Sequence, residues 1–182
     1  MILPIYLYGQ PVLRKEAQEI TKDFPGLNEL IENMFATMYH SNGVGLAGPQ
    51  IGKSIRLFVV DGSPMAEELP ELANTKKVFI NPEIVEFSEQ ESIMEEGCLS
   101  LPNLHEKVAR SFSIKVNYFD ENWVEHKEEE FKGFFARMIQ HEYEHLQGHV
   151  FTDNINPLRR QMISNKLSKI AKGKVRCDYK VK

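Results

Sequence analysis

The stretch RMIQHEYEHLQGHVF, residues 137–151, contains two histidines four residues apart and a glutamate directly after the first of them. If this stretch is helical, His141 and His145 lie on adjacent turns, and both imidazoles can reach one metal ion. Glu142 is then set about 100° around the helix, where it can touch a metal-bound water without being a ligand. The alternative is a pair of core histidines that hydrogen-bond to backbone groups or carboxylates.

Apolar residues before the histidines favour the metal hypothesis. Phe134 and Met138 precede His141 and His145 at helical spacing, so the four side chains share one face of a helix predicted over residues 132–147. The histidines continue this apolar stripe, and we expect them to point into the protein.

Such a site needs a third protein ligand. The long zinc-protease pattern requires a histidine at position 151, but that position is Phe and His149 falls two residues short. No glutamate follows Glu144, so a downstream glutamate ligand is excluded. The remaining candidates are the carboxylate of Asp153 and the thiol of Cys98. Cys98 is preferred, because a thiolate binds late first-row metals tightly.

Three ligands leave one coordination position open, which is typical of a catalytic metal. A rival set of Cys98, His141, His145 and Cys177 would close the site and make the metal structural. Cys177 lies in a polar, basic tail, so this rival is less favoured.

Hydrophobic periodicity predicts three helices, over residues 26–41, 132–147 and 157–172. Short strands between scattered helices indicate an α+β fold. We expect one domain over residues 1–182, in which mixed or antiparallel strands pack around a central metal-binding helix, followed by a basic C-terminal helix.

Strands are predicted in SIRLFVV (54–60) and in KVFINP (77–82), where Pro82 is expected to end the strand. Residues 113–131 alternate like a hairpin that turns at DEN (120–122). The intervening segment, residues 61–77, is predicted as a loop because it contains Pro and Gly.

Composition is that of an ordinary soluble globular protein, since 42% of residues are apolar and 26% are charged. Two cysteines do not support a disulfide framework, which favours a reducing compartment. Residues 1–12 lack the features of a signal peptide, and no apolar stretch is long enough to span a bilayer. The expected location is therefore the cytoplasm, without a membrane partner.

The net charge of −4 is unevenly distributed. Residues 157–182 carry nine Lys or Arg and one acid, Asp178, whereas residues 1–156 carry 13 basic and 25 acidic residues. An acidic body of −12 thus bears a basic tail of +8. This asymmetry predicts a polyanionic partner for the tail, and the alternative is a solvated helix that only packs on the body.

A glycine-rich stretch, GVGLAGPQ (43–50), lacks the Lys-Ser/Thr of a phosphate loop but allows close backbone approach to a ligand. Together, GVGLAGPQ, EEGCLS (95–100) and QHEYEH (140–145) resemble the three motifs of the peptide deformylase family, in the family's order. The likeness extends from PVLR (11–14) through FINPEI (79–84) to HLQG (145–148).

The resemblance implies a function for each motif residue: Cys98, His141 and His145 as metal ligands, Glu142 as catalytic acid/base, Gln50 and the Leu99 N–H as donors to the formyl oxygen, and Val44 and Gly45 as lining of the substrate cleft. The implied cofactor is one divalent metal ion, Fe²⁺ natively, with Zn²⁺, Ni²⁺ or Co²⁺ able to substitute. The implied reaction removes the N-formyl group from the N-terminal methionine of nascent polypeptides and releases formate. The expected partners are N-formyl-Met peptides and the ribosomal exit-tunnel region, through the C-terminal helix, and no DNA.

Two positions depart from the family's motifs. Gly48 stands where the family usually has Ala, and Glu144 stands where it usually has Asp, with Arg110 a candidate partner for the Glu144 carboxylate. The residues alone do not distinguish a formamide from an internal peptide bond. A metalloendopeptidase and a structural-zinc module therefore stay as alternatives.

Overall fold

The computed structural model describes all 182 residues. Its two long helices are α1 (Leu27–His40) and α2 (Gly133–Leu146), which differ from the predicted helices by one residue at each end. The strands are β1 (Gly45–Ala47), β2 (Leu57–Val60), β3 (Lys77–Phe87), β4 (Glu91–Cys98), β5 (Leu101–Ser111), β6 (Ser113–Phe119) and β7 (Glu125–Lys132). Five short 3₁₀ turns connect them, and two of these lie in the predicted loop over residues 61–77.

The strands form two sheets in which all neighbours are antiparallel. The larger sheet has the order β1-β2-β3-β6-β7, and β4 pairs only with β5. The hairpin of β6 and β7 turns at residues 120–124, in agreement with the sequence prediction. The α+β fold class is confirmed, in its antiparallel form.

Helices α1 and α2 pack on opposite faces of the larger sheet, so every residue of β2 is buried. Phe58 and Val60 lie in one apolar cluster with the buried face of α2. Leu57 and Val59, which alternate with them, lie in a second cluster with α1. The larger sheet thus lies between the two helices, and α2 is buried against one face of it.

The prediction that Pro82 ends a strand is wrong, because β3 continues to Phe87. Asn81 has a positive φ of 49°, and the pairing of β3 with β6 shifts register between Ile80 and Glu83. Pro82 lies within this irregularity, where a missing N–H leaves no ladder hydrogen bond unmade.

The predicted helix over residues 157–172 is two helices, α3 (Pro157–Met162) and α4 (Ser164–Ala171). Ile163 separates them with non-helical backbone angles. Asn156 caps α3 by accepting the N–H of Leu158.

The apolar residues of the segment over residues 157–172 are only partly buried. Ile163, Leu167 and Ile170 pack in a third cluster with β5, whereas the side chains of Leu158 and Met162 are each 68% exposed. The apolar side chains of α3 therefore face solvent, whereas those of α4 are buried.

Candidate metal centre

The three candidate ligands come together from two elements. Cys98 ends β4 at the turn into β5, and His141 and His145 lie one turn apart on α2. One ligand atom of each residue lies within 4.8 Å of the other two, and the Cys98 Sγ is 3.3 Å from the His145 Nε2. Both histidines are buried and the cysteine is half-buried.

The other ligand candidates lie outside this cluster. The Asp153 carboxylate accepts hydrogen bonds from Arg14, at 2.6 Å, and from the N–H of Val150. The His149 side chain is 61% exposed. Cys177 lines the same cleft but contributes no atom to the cluster, so the closed four-ligand site is not formed.

A buried carboxylate orients the first histidine. The His141 Nδ1 donates to the Glu96 Oε1 at 2.9 Å, which leaves the Nε2 lone pair for a metal. Glu96 also accepts hydrogen bonds from Arg110, at 2.6 and 2.9 Å, and from Arg137. Burial alone would raise the pKa of Glu96, but the hydrogen bonds from His141 and Arg110 outweigh it and hold this pKa well below its usual range.

Arg110 connects Glu96 to the motif position that departs from the family. Its guanidinium donates to the Glu144 Oε1 at 2.9 Å, and Asn154 donates to the same carboxylate. The longer side chain of Glu144 thus keeps the partner expected from sequence. The sequence analysis did not predict roles for Glu96 and Arg137. Nothing in the sequence shows that Glu96 and Arg137 are buried, so neither could be assigned to the metal site.

Glu142 lies beside the ligands and makes no hydrogen bond through its buried Oε2. A Cβ at Gly45 would be 2.5 Å from the Glu142 Oε1, so the glycine makes room for the carboxyl. Burial raises the pKa of Glu142 to about 7. A carboxyl group in this state can accept and release a proton near neutral pH.

Two hydrogen-bond donors lie next to Cys98. The Gln50 Oε1 accepts the Ala47 N–H at 2.9 Å, which turns the amide NH₂ toward the Cys98 Sγ, at 3.4 Å, and the Ser100 Oγ, at 3.2 Å. The Leu99 N–H donates to no group of the chain. The Leu99 N–H is therefore free to bind an oxygen placed beside the cluster, and the Gln50 NH₂ can do so by giving up its 3.4 Å contact with the Cys98 Sγ.

The structure explains why glycine, and not the family's usual alanine, fits at position 48. A Cβ there would be 2.9 Å from the backbone oxygens of Lys53 and Ile55, closer than real contacts allow. The glycine therefore permits the close packing of this turn against the following loop, and Gln50 keeps its place.

The cluster borders a cleft of about 1010 Å³. Val44 and Gly45 line it from one side, and Phe134 and Met138 line it from α2. Apolar walls around a few convergent polar groups are typical of a small-molecule or peptide site.

The donor set fits a divalent late first-row metal. A thiolate and two imidazoles are ligands that such ions prefer, and three protein ligands leave room for water or substrate. The Glu142 carboxyl, which has no hydrogen-bond partner, lines the same cleft. An α+β fold with such a site is typical of a mononuclear metallohydrolase.

Comparison with known proteins identifies the family. The polypeptide deformylase family matches residues 2–161. The peptide deformylase of Christiangramia forsetii is 49% identical over 189 aligned positions, which cover 100% of this chain and 96% of the relative. The chain belongs to the polypeptide deformylase family.

Solved structures agree with this assignment. The peptide deformylase from Thermus thermophilus superimposes with a TM-score of 0.83 at 40% identity, covering 95% of this chain and 99% of that one. The enzyme from Legionella pneumophila gives a TM-score of 0.81 at 36% identity, covering 97% and 99%. None of the helices has the length and apolar character needed to span a bilayer.

Proposed function

We propose that this chain is a metal-dependent peptide deformylase, which hydrolyses the N-formyl group of an N-terminal methionine and releases formate. One observation supports this function above all: a thiol and two imidazoles converge beside a buried carboxyl that has no partner of its own. Membership of the polypeptide deformylase family supplies the substrate class.

A divalent metal ion, when held by Cys98, His141 and His145, supplies Lewis-acid chemistry, since it lowers the pKa of a water molecule and polarises the formyl oxygen. Glu142 takes the proton of the attacking water and returns it to the leaving amine. Its burial supports both steps, because the pKa of this carboxyl is raised to about 7.

The Gln50 NH₂ group and the Leu99 N–H donate to the oxygen on which negative charge develops. Such a donor contributes about 3–4 kcal/mol of transition-state stabilisation in comparable sites. Val44 and Gly45 line the cleft for the substrate backbone and the first side chain, and Phe134 and Met138 supply apolar surface.

One assay tests this function. The metal-loaded protein is given formyl-Met-Ala and, separately, an unblocked peptide, and formate and new internal amines are measured. We expect formate from the first substrate and no cleavage of the second. Internal cleavage would indicate an endopeptidase, and metal binding without any turnover would indicate a structural site.

Fe²⁺ is the native ion in this proposal, and Zn²⁺, Ni²⁺ or Co²⁺ can replace it. The resemblance of the three motifs supports iron, and the thiolate-imidazole donor set suits all four metals. An iron form prepared without oxygen should lose activity in air, because Fe²⁺ and its thiolate ligand oxidise. A verified iron form with stable activity under oxygen would contradict the proposal.

The proposed setting is the cytoplasm, at the ribosomal exit-tunnel region, where nascent chains emerge. Lys166, Lys169, Lys172 and Lys174 support this partner, since all four are exposed and form no ion pair within the chain. Arg159 contributes less, because Glu106 binds its guanidinium through two hydrogen bonds of 2.9 Å.

A further inference from the structure

The C-terminal segment, residues 175–182, returns to the body and pairs with the beginning of the chain. The Ile5 N–H donates to the Lys180 carbonyl at 2.9 Å, and the Lys182 N–H donates to the Ile5 carbonyl at 2.8 Å. Ile5 and Val181 form a parallel bridge. This segment lies beyond residue 161, where the match to the family ends.

The same segment forms part of the cleft wall. Val175, Cys177 and Tyr179 line the cleft, and Asn103 of β5 holds the segment by donating to the Arg176 carbonyl at 2.8 Å. The segment is thus attached on one side to the chain start and on the other to the hairpin that carries Cys98.

Residues from both ends of the chain donate hydrogen bonds to the turn between β4 and β5. The Tyr179 hydroxyl donates to the Leu99 carbonyl at 2.7 Å. The Tyr8 N–H donates to the carbonyl of the next residue, Ser100, at 2.8 Å. Two successive carbonyls of the turn are therefore held from outside the hairpin, by residues distant in sequence.

The Leu99 carbonyl belongs to the peptide unit after Leu99, and the free N–H belongs to the unit before it. The bond from Tyr179 therefore restricts the direction of this N–H through the φ and ψ angles of Leu99. The turn between Cys98 and Leu101 is short, so we expect a displacement of the Leu99 carbonyl to change the backbone angles of Leu99 and with them the direction of its N–H. A shift of about 1 Å in a group that contacts the reacting atoms can cost about a hundredfold in rate. The turn also carries Cys98, so its geometry affects a metal ligand and an oxyanion donor together.

We propose that the C-terminal segment is a positioning element of the active site, and that the Tyr179 hydroxyl fixes the peptide units around Leu99 in their donating orientation. Tyr179 is a positioning residue, because it acts through Leu99 and not on the substrate. The inference rests on the proposed deformylase function for its catalytic consequence and on the hydrogen bonds alone for its structural one.

The test compares Tyr179→Phe with wild type and with Tyr6→Phe, all as full-length, zinc-loaded protein. Tyr6 is a matched control, since it also lies near the paired chain ends but its hydroxyl makes no hydrogen bond within the chain. Formate release from formyl-Met-Ala gives kcat and KM, and metal content is measured for each protein. Amide ¹⁵N relaxation gives order parameters for Leu99 and Ser100 independently of activity.

Tyr179→Phe should lower kcat about tenfold while KM changes less than about twofold, because a transition-state donor is displaced and the cleft is kept. Order parameters at Leu99 and Ser100 should fall from about 0.85 to below about 0.6, with metal content and the control unchanged. A purely structural tyrosine would lower Tm and leave kcat per bound metal intact.

Three results would overturn the inference: unchanged kcat, a loss of kcat with rigid amides at Leu99 and Ser100, or the same loss in Tyr6→Phe. Failure of the proposed function is a separate result, because wild type would then release no formate. In that case the order parameters alone decide whether Tyr179 fixes the turn.

Discussion

At the residue scale, the proton chemistry depends on the carboxyl that the fold buries without a partner. Glu142→Gln should keep the metal, because Glu142 lies beside the ligand cluster and contributes no atom to it. Turnover should fall about 10³-fold, within the range for loss of a general acid/base. Metal analysis and formate release measure the two effects. Loss of metal, or activity near wild type, would count against the assignment.

The two cysteines provide a matched pair. Cys98→Ala should release the metal under a chelator concentration that wild type tolerates, because a thiolate ligand is lost. Cys177→Ala should retain both metal and activity, since its thiol is outside the cluster. If removal of Cys177 also releases the metal, the hypothesis of a structural zinc site is supported and the proposed function fails.

The apolar walls of the cleft set the first-residue preference. Formyl-Met peptides should exceed formyl-Asp peptides in kcat/KM by about 10²-fold or more, because burying an unpaired charge costs several kcal/mol. Val44, Phe134 and Met138 supply these walls. Similar kcat/KM values for the two peptides would refute an apolar pocket.

Single site residues could be predicted where the hydrophobic periodicity of a helix indicates which way a side chain points. His141 and His145 continue the apolar stripe of α2, so the sequence indicated that they point inward. Glu96 follows another glutamate in a strand that is mostly exposed, and nothing local shows which of the two is buried. Its importance comes from His141, Arg110 and Arg137, which are distant in sequence and meet only in the folded chain.

At the element scale, the hairpin of β4 and β5 escaped prediction although it carries Cys98. Alternate residues of β5 are buried, but Glu106 and Arg110 occupy two of these inward positions. Buried charges interrupt the apolar alternation on which strand prediction depends. Both are paired, Glu106 with Arg159 and Arg110 with Glu96, which makes their burial tolerable.

Glu96 joins this hairpin to α2, and its charge can be removed without changing its shape. Glu96→Gln should weaken metal binding by about tenfold to a hundredfold, because His141 loses the carboxylate that orients it. Arg110 and Arg137 also lose their shared charge, so Tm should fall. Glu95→Gln, at the exposed neighbouring position, is the control. Equal metal affinities of the two variants in chelator competition would exclude the orienting carboxylate.

At the scale of the whole molecule, the pattern of helices and the α+β class followed from sequence, whereas the C-terminal helices did not. The segment over residues 157–172, predicted as one helix, folds as two helices, and the residue between them, Ile163, is buried. Leu158 and Met162 then project into solvent beside basic residues. Ile163 packs in the third cluster with β5, a contact distant in sequence that no local pattern reports.

The acidic body and basic tail lead to a prediction about the whole protein. Four exposed lysines of the tail, Lys166, Lys169, Lys172 and Lys174, can bind the phosphates of ribosomal RNA, and affinity should fall steeply as salt is raised. The measurement is co-sedimentation with ribosomes at low and moderate salt. The variant with all four lysines changed to Glu should lose binding and keep its rate on formyl-Met-Ala, since the metal centre is untouched.

A second four-lysine variant shows whether ribosome binding depends on the position of the changed lysines or only on the net charge of the protein. Lys15, Lys22, Lys53 and Lys107 are exposed, lie outside the tail and make no ion pair, so changing these four to Glu gives the same net charge. If the tail is the docking surface, this control should sediment with ribosomes far more than the tail variant does. Equal loss in both variants would show that only the overall charge matters. Equal retention in both would leave the ribosome proposal without support while the deformylase assignment stood.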